Sequence, residues 1–281
     1  MKKYLRGLYI YPFKSLPGVP VSEAAFTEQG FADDRIFMLV DGRGRMVTLR
    51  EYPQMASIRV TPVEGGYAVG HTDAGRIIVR RAELDPEVHE QVEVTIHGEM
   101  SVMLRAGDRY DEFFSACLRL PVRLVRSSPA LPRTRTGSGV HLSLHAQDGY
   151  PATILSDASL RELNRQLGHM HQPPVTVERF RPNLYVEGAD QPHEEDALSR
   201  VSFSGIPFNR LKLCSRCRAI TVHVDTASPR FAQFDPADEP LRTLQRYRMV
   251  LKKEHDPSVY FGVNAVPESS GKLKVGMLVE W

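Results

Sequence analysis

Over the first hundred or so residues, apolar and polar positions alternate in short runs broken by turn residues, which predicts strands joined by tight turns. Leu5 to Tyr11 is an apolar run that stops at Pro12. Ile36 to Val40 and Met46 to Leu49 flank Asp41-Gly42-Arg43-Gly44, a hairpin signal. Ile58 and Val60 alternate ahead of Gly65-Gly66, and Val92, Val94 and Ile96 alternate ahead of His97-Gly98. The period then changes. Asp108 is the expected cap of a helix whose first turn holds Asp111 and Glu112, and Tyr110, Phe113, Phe114 and Cys117 share one face of it. Cys117 therefore reads as core.

Pro121 closes that helix, and Ser127 to Gly149, rich in Ser, Pro, Arg and Gly, reads as a long loop. Ala152 to Leu155 predicts a strand feeding Ser156-Asp157-Ala158-Ser159, after which Leu160, Leu163 and Leu167 mark a helix ending at Gly168. Asp238 and Pro240 open a further helix carrying Leu241, Leu244 and Leu251. Between these helices lies Cys214-Ser215-Arg216-Cys217. Leu211 and Leu213 alternate before it and Ile220, Val222 and Val224 after it, so a strand is expected on either side.

Two cysteines at this spacing admit several readings. A redox pair wants a helix directly after the motif, whereas a strand is expected here. A structural zinc site needs four donors, and the remaining cysteine, Cys117, is far upstream. Two inert buried thiols fit poorly with Arg216 between them and Arg218 after them. A guanidinium beside a thiol favours the thiolate, the form that binds soft metals.

The ordered set Arg179-Phe180-Arg181-Pro182-Asn183, Glu194-Glu195-Asp196, Cys214-Ser215-Arg216-Cys217 and Asp225-Thr226 resembles the MOSC-domain family. Within that family it is most similar to the branch of the mitochondrial amidoxime reducing component and its bacterial relatives. Tyr11-Pro12-Phe13-Lys14-Ser15, Gly18-Val19-Pro20-Val21 and Asp34-Arg35 match the domain that precedes MOSC there, and Gly271 to Gly276 resembles the closing hairpin. The resemblance implies an α+β protein: a β-rich N-terminal domain over 1–125, then a MOSC β-barrel with flanking helices over 126–281. It implies a molybdenum-molybdopterin cofactor, with Cys217 as metal ligand and catalytic residue and Cys214 packed inside the loop. Lys14, Ser15, Arg35, Ser156, Arg181, Asn183, Ser215 and Arg216 are the implied cofactor contacts, cationic or hydrogen-bonding groups suited to a phosphate and a heterocycle. Simpler accounts stand beside three of them. Ser156 also reads as an N-cap, Arg35 as the partner of Asp33 or Asp34, and Lys14 as a surface lysine.

The implied reaction is reduction of a small N-hydroxylated substrate, with electrons from an external donor, a ferredoxin or flavoprotein reductase. A non-catalytic carrier of the cofactor or of sulfur is the alternative. The sequence departs from the family at His223 and Met277, where an acid is common, and His223 is expected to face solvent. Composition adds bounds. A chain of 281 residues buries a sizeable core, and a net charge of +2 gives no nucleic-acid signal. The arginines from Arg119 to Arg135 read as a solvated loop, the rim of an anion site or a docking surface for an acidic partner. Three cysteines suit a reducing compartment. The N-terminus shows no signal peptide or membrane anchor, so the expectation is a cytoplasmic protein.

Overall fold

The computed structural model describes residues 2–82, 84–137, 139–251 and 257–281. The chain forms two compact units that do not follow each other simply in sequence. The first comprises Met1–Tyr9, Pro20–Ala32 and Tyr150–Trp281, the second Ile10–Val19 and Asp33–Gly149.

The first unit is built on seven strands: β1 (Lys3–Ile10), β2 (Ala152–Ser156), β3 (Leu184–Glu187), β4 (Arg200–Phe203), β5 (Ile206–Arg216), β6 (Pro257–Pro267) and β7 (Leu278–Glu280). They run in the order β2-β3-β1-β7-β4-β5-β6, and β6 pairs back onto β2, which closes a barrel and leaves these strands no free edge. Only β2 and β3 are parallel. Their connection carries helix α2 (Asp157–His169), because a parallel pair needs a long crossover. Leu160, Leu163 and Leu167 fall on the buried face of α2 and pack with Phe180 and Phe261 in one core cluster. Leu244 of helix α3 (Leu241–Arg248) joins the same cluster.

The second unit holds a four-stranded sheet in the order Phe37–Val40, Arg123–Arg126, Glu99–Arg105, Gln91–Ile96, and a three-stranded meander over Arg59–Val63, Gly66–His71 and Gly75–Arg80. Helix α1 spans Asp108–Leu118 with Gly107, at φ +120°, in the cap position expected for Asp108. Asp111 is the buried acid of that first turn, accepting from the Leu124 amide at 2.7 Å and from Arg105. Cys117 is core, as its spacing predicts, and burial pushes its thiol up to about 12.

Several expectations are corrected. Ser127 to Gly149 is not a plain loop: Arg133–Gly137 and Val140–Leu144 form a hairpin. A buried arginine, Arg133, fills an inward position there, so the apolar alternation that signals a strand is missing. No strand directly follows Cys217. Arg218–Thr221 is a one-turn helix, and Ile220, Thr221, Val222 and His223 are all buried in succession. Alternating residue type mimicked a strand while every side chain in the run turned inward. Leu251 lies beyond α3, in the short strand Met249–Leu251. The turn at Asp41 forms, but its second arm is reduced to a bridge between Val40 and Met46. The C-terminal segment is no hairpin: Gly271–Lys274 pairs with Glu23–Thr27, whereas β7 pairs with β1 and β4.

Candidate functional site

Strand β5 delivers the cysteine motif to the barrel's end. Its register shifts between Arg210 and Lys212 and again between Leu213 and Ser215, and each bulge re-aims the following side chains. Cys214 lies at the second shift and is half-buried, Ser215 is exposed opposite Tyr260, and Cys217 is exposed as the extended cap residue of the Arg218–Thr221 turn. Arg216 turns back over β6. Its Nε donates to the Phe261 carbonyl at 2.8 Å and Nη1 to the Phe180 carbonyl at 2.7 Å, while the buried Nη2 meets no acceptor among the described residues. Beside it, Gly262 adopts φ +75°, and a Cβ there would lie 3.4 Å from Nη2 and 2.6 Å from the Ile154 carbonyl. The positive φ and the close approach of the Ile154 carbonyl both require glycine beside the guanidinium.

The Arg179–Asn183 turn braces the same region. Arg179 Nη1 points at the carbonyls of Ile220 and Thr221, at 3.5 and 3.3 Å. Each segment therefore sends an arginine onto the other's main chain, Arg216 to Phe180 and Arg179 to Ile220 and Thr221. Arg181 caps the turn at φ +54°, a strained conformation for a residue before proline. Asn183 is buried, and its amide is engaged with main chain: Oδ1 accepts from Thr153 at 3.2 Å and Nδ2 donates to Tyr9 at 3.2 Å. It ties the starts of β2 and β3 to β1.

Ser156 is fully buried at the head of α2, where it accepts from the Ser159 amide at 3.2 Å as an N-cap. The anion at this helix head is the protein's own. Glu195, itself fully buried, accepts from Ser156 Oγ at 2.8 Å, from Ser159 Oγ at 2.8 Å and from the Ser156 amide at 3.3 Å. Burial raises the Glu195 carboxyl above its ordinary value against these donors. Glu195 belongs to an acidic triplet visible in the sequence, but nothing in the spacing distinguishes it from its half-buried neighbours Glu194 and Asp196.

In the second unit, Lys14 and Arg35 are brought to one segment. Lys14 is buried, and its Nζ donates to the Ala146 carbonyl at 2.8 Å and pairs with Asp148, which also holds His97 at 3.0 Å. Burial pulls the ammonium down, with Asp148 opposing. Lys14 is thus no surface lysine, and an anion reaching it must displace Asp148, whose side chain is 70% exposed. Arg35 stacks on Tyr11 with 4.2 Å to the ring centroid and pairs with the fully buried Asp34 at 2.6 Å. Ser15 and Arg35 share positive φ, +70° and +53°, with Arg181. Such strain concentrates at functional sites.

The arginines from Arg119 to Arg135 do not form one solvated surface. Arg126 and Arg133 are buried, Arg119 pairs with Asp73, Arg123 with Glu90, and Arg133 and Arg135 with Glu99. His223 is also corrected. It is 8% exposed rather than solvent-facing, because Arg179 and Asp235 bond both sides of its ring, at 2.9 and 3.1 Å.

Among the described residues no three His, Cys, Asp or Glu side chains cluster to hold a metal ion. The residues present fit the cofactor that the resemblance implies: an exposed soft donor beside a buried guanidinium nitrogen without an acceptor among the described residues. No helix among the described residues is long and apolar enough to cross a membrane.

The chain is similar to known proteins along most of its length. Residues 2–121 match the MOSC N-terminal beta barrel domain and residues 141–280 the MOSC domain. The chain is 30% identical to mitochondrial amidoxime-reducing component 1 of Homo sapiens, over 96% of this chain and 80% of that protein. It is 28% identical to molybdenum cofactor sulfurase of Oryza sativa subsp. japonica, over 87% of this chain but 31% of that protein. Among solved structures, the YUAD protein from Bacillus subtilis is 15% identical, covers 99% of this chain and 94% of its own, and has a TM-score of 0.44.

Proposed function

The chain belongs to the MOSC-domain family, in the branch of the amidoxime-reducing components, and we propose that it is a molybdenum-cofactor-dependent reductase of N-hydroxylated compounds. Amidoximes, hydroxylamines and N-hydroxylated bases are the substrate class. The net change is an N–OH group taking two electrons and two protons to give N–H and water, with the electrons from a separate ferredoxin or flavoprotein reductase. The cofactor, when bound, supplies the redox change and the acceptor for the substrate oxygen.

The observation that carries this reading is the exposed Cys217 thiol one residue from Arg216, whose buried Nη2 has no acceptor among the described residues. Cys217 is the single protein ligand to the metal. Arg216 supplies a charge-assisted donor to the phosphate or pterin edge, and Arg181 a second. Ser215 lines the exposed rim. Ser156 and Asn183, whose side chains bond to Glu195 and to main chain, set the strand ends from which those groups project. Lys14, Ser15 and Arg35 offer anion contacts in the second unit.

The likeness to molybdenum cofactor sulfurases favours one second reading, a carrier that holds the cofactor or sulfur without turnover. One experiment separates the two. Protein from a host able to build the pterin is assayed for molybdenum and for reduction of benzamidoxime by reduced methyl viologen. Stoichiometric molybdenum with turnover supports the reductase, and molybdenum without turnover supports the carrier. Absence of molybdenum sinks the reductase and the cofactor carrier, leaving only a carrier of sulfur.

A further inference from the structure

We propose that Arg179, His223 and Asp235 are positioning residues that fix the chain on the far side of Cys217. Cys217 is held upstream by the β5–β6 ladder, where Arg216 faces Val259. Downstream it heads the one-turn helix Arg218–Thr221, whose Ile220 amide bonds back to the Cys217 carbonyl at 3.3 Å. A single turn is a weak element by itself, since nucleation costs more than one hydrogen bond returns. Its closing carbonyls, Ile220 and Thr221, are where Arg179 Nη1 points, and a cation suits the C-terminal end of a helical turn. The same nitrogen also faces the Glu239 carbonyl, at 3.4 Å.

His223 decides whether Arg179 stays there. Arg179 has no acceptor lone pair, so its Nη2 must donate to His223 Nδ1, 2.9 Å away. Nδ1 must then be unprotonated, and the ring hydrogen sits on Nε2, donating to Asp235 Oδ2 at 3.1 Å. Asp235 is fixed in turn by the amides of Ala237 and Glu239, at 2.9 and 3.2 Å, and its own amide holds the Thr221 carbonyl at 2.8 Å. The remaining groups facing this ring are Ser228 Oγ, 3.2 Å from Nδ1, and Arg230, 4.0 Å from Asp235; Asp225 acts on Arg179. Burial and the Arg179 guanidinium hold the imidazole below its ordinary value while Asp235 opposes them, so the neutral ring prevails at neutral pH. A second proton would set N–H against N–H at Arg179 and release the turn. Nδ1 of His223 thus supplies the acceptor that Arg179 needs, and Asp235 supplies the charge behind it.

The test uses the full chain made in a host unable to build the pterin, so its outcome does not depend on the proposed activity. Hydrogen exchange is read on the peptide covering residues 217–223, with helix α1 as internal control. His223→Ala lowers protection of that peptide about tenfold, the equivalent of one charge-assisted hydrogen bond, and leaves α1 unchanged. His223→Asn, whose side-chain oxygen replaces Nδ1, restores it. In the wild type, protection also drops as pH falls below about 6.5, the ordinary value of a histidine; in His223→Asn that step is gone. Unchanged protection in His223→Ala, equal loss in α1, or persistence of the pH step in His223→Asn would each overturn the assignment. In a wild type that carries molybdenum, occupancy falls in His223→Ala and recovers in His223→Asn; unaltered occupancy overturns the link to Cys217.

Discussion

Arg216 and Arg179 near Cys217 are held by different partners from Lys14 and Arg35 in the second unit. In the first unit Arg216 gives its donors to the neutral carbonyls of Phe261 and Phe180, and Arg179 gives its own to carbonyls and to a neutral imidazole. In the second unit Lys14 closes on Asp148 and Arg35 on Asp34. Carbonyl partners orient a guanidinium without cancelling its charge, so positive potential at Arg216 remains for a ligand anion. Carboxylate partners cancel it, and binding there must compete with an internal anion. Arg216 and Arg179 thus keep a charge that Lys14 and Arg35 share with carboxylates, although Arg218, next to Cys217, pairs with Asp238 at 3.7 Å.

Breaking the second unit's balance should have the largest effect on folding. Arg35→Ala leaves the buried Asp34 carboxylate without its ion-pair partner and is expected to cost about 3 kcal/mol in urea unfolding, the lower end for a broken buried pair. A loss under about 1 kcal/mol would show that Asp34 is satisfied by its other donors, the Tyr11 amide among them. Arg216→Ala should instead act on the ligand. One charge-assisted bond is worth about 1.5–3 kcal/mol, so cofactor affinity falls roughly ten- to a hundredfold, read as pterin fluorescence after oxidation. Equal pterin content in mutant and wild type would place Arg216 in the framework alone.

The pH dependence of stability sharpens the contrast within the first unit. His193 is held down to about 4, by burial first and by Arg248 second, so it is neutral in the fold. The unfolded chain takes up the proton earlier, near its ordinary value of about 6.5. Stability from this group is therefore complete above about pH 6.5 and lost as pH falls towards 4. His193→Phe should flatten that part of a stability-against-pH curve; an unaltered slope would assign it to other groups. The smallest change is expected from Lys14→Met. A flexible apolar chain fills the buried channel and Asp148 remains in solvent, so stability should stay within about 1 kcal/mol of wild type.

Of the barrel strands, Lys3–Ile10, Ala152–Ser156 and the run into Cys214 were legible, as was α2, because their apolar pattern and capping are local. Leu184–Glu187, Arg200–Phe203, Pro257–Pro267 and Leu278–Glu280 were not. Ala152–Ser156 and the leucines of α2 announce themselves, and the end expected at Gly168 falls one residue short of the observed His169. The turn after Cys217 was not, because Thr221 and His223 are polar residues that bury by bonding to Arg218 and Arg179, and such partners are invisible in one dimension. The same holds for Arg133, a buried arginine inside an unrecognised strand, and for Glu195, the carboxylate that occupies the helix head expected to meet a phosphate. Residue type located the motifs. Only the fold shows which donors are already engaged.

The central claim is that Cys217 is the protein's ligand to molybdenum. X-ray absorption at the molybdenum edge, on wild type, Cys214→Ser and Cys217→Ser made in a pterin-competent host, tests it most directly. The account predicts a protein-derived sulfur in the metal's coordination shell of wild type and Cys214→Ser, replaced by a lighter donor or lost with the metal in Cys217→Ser, along with reductase activity. An unchanged sulfur shell and full activity in Cys217→Ser would contradict it.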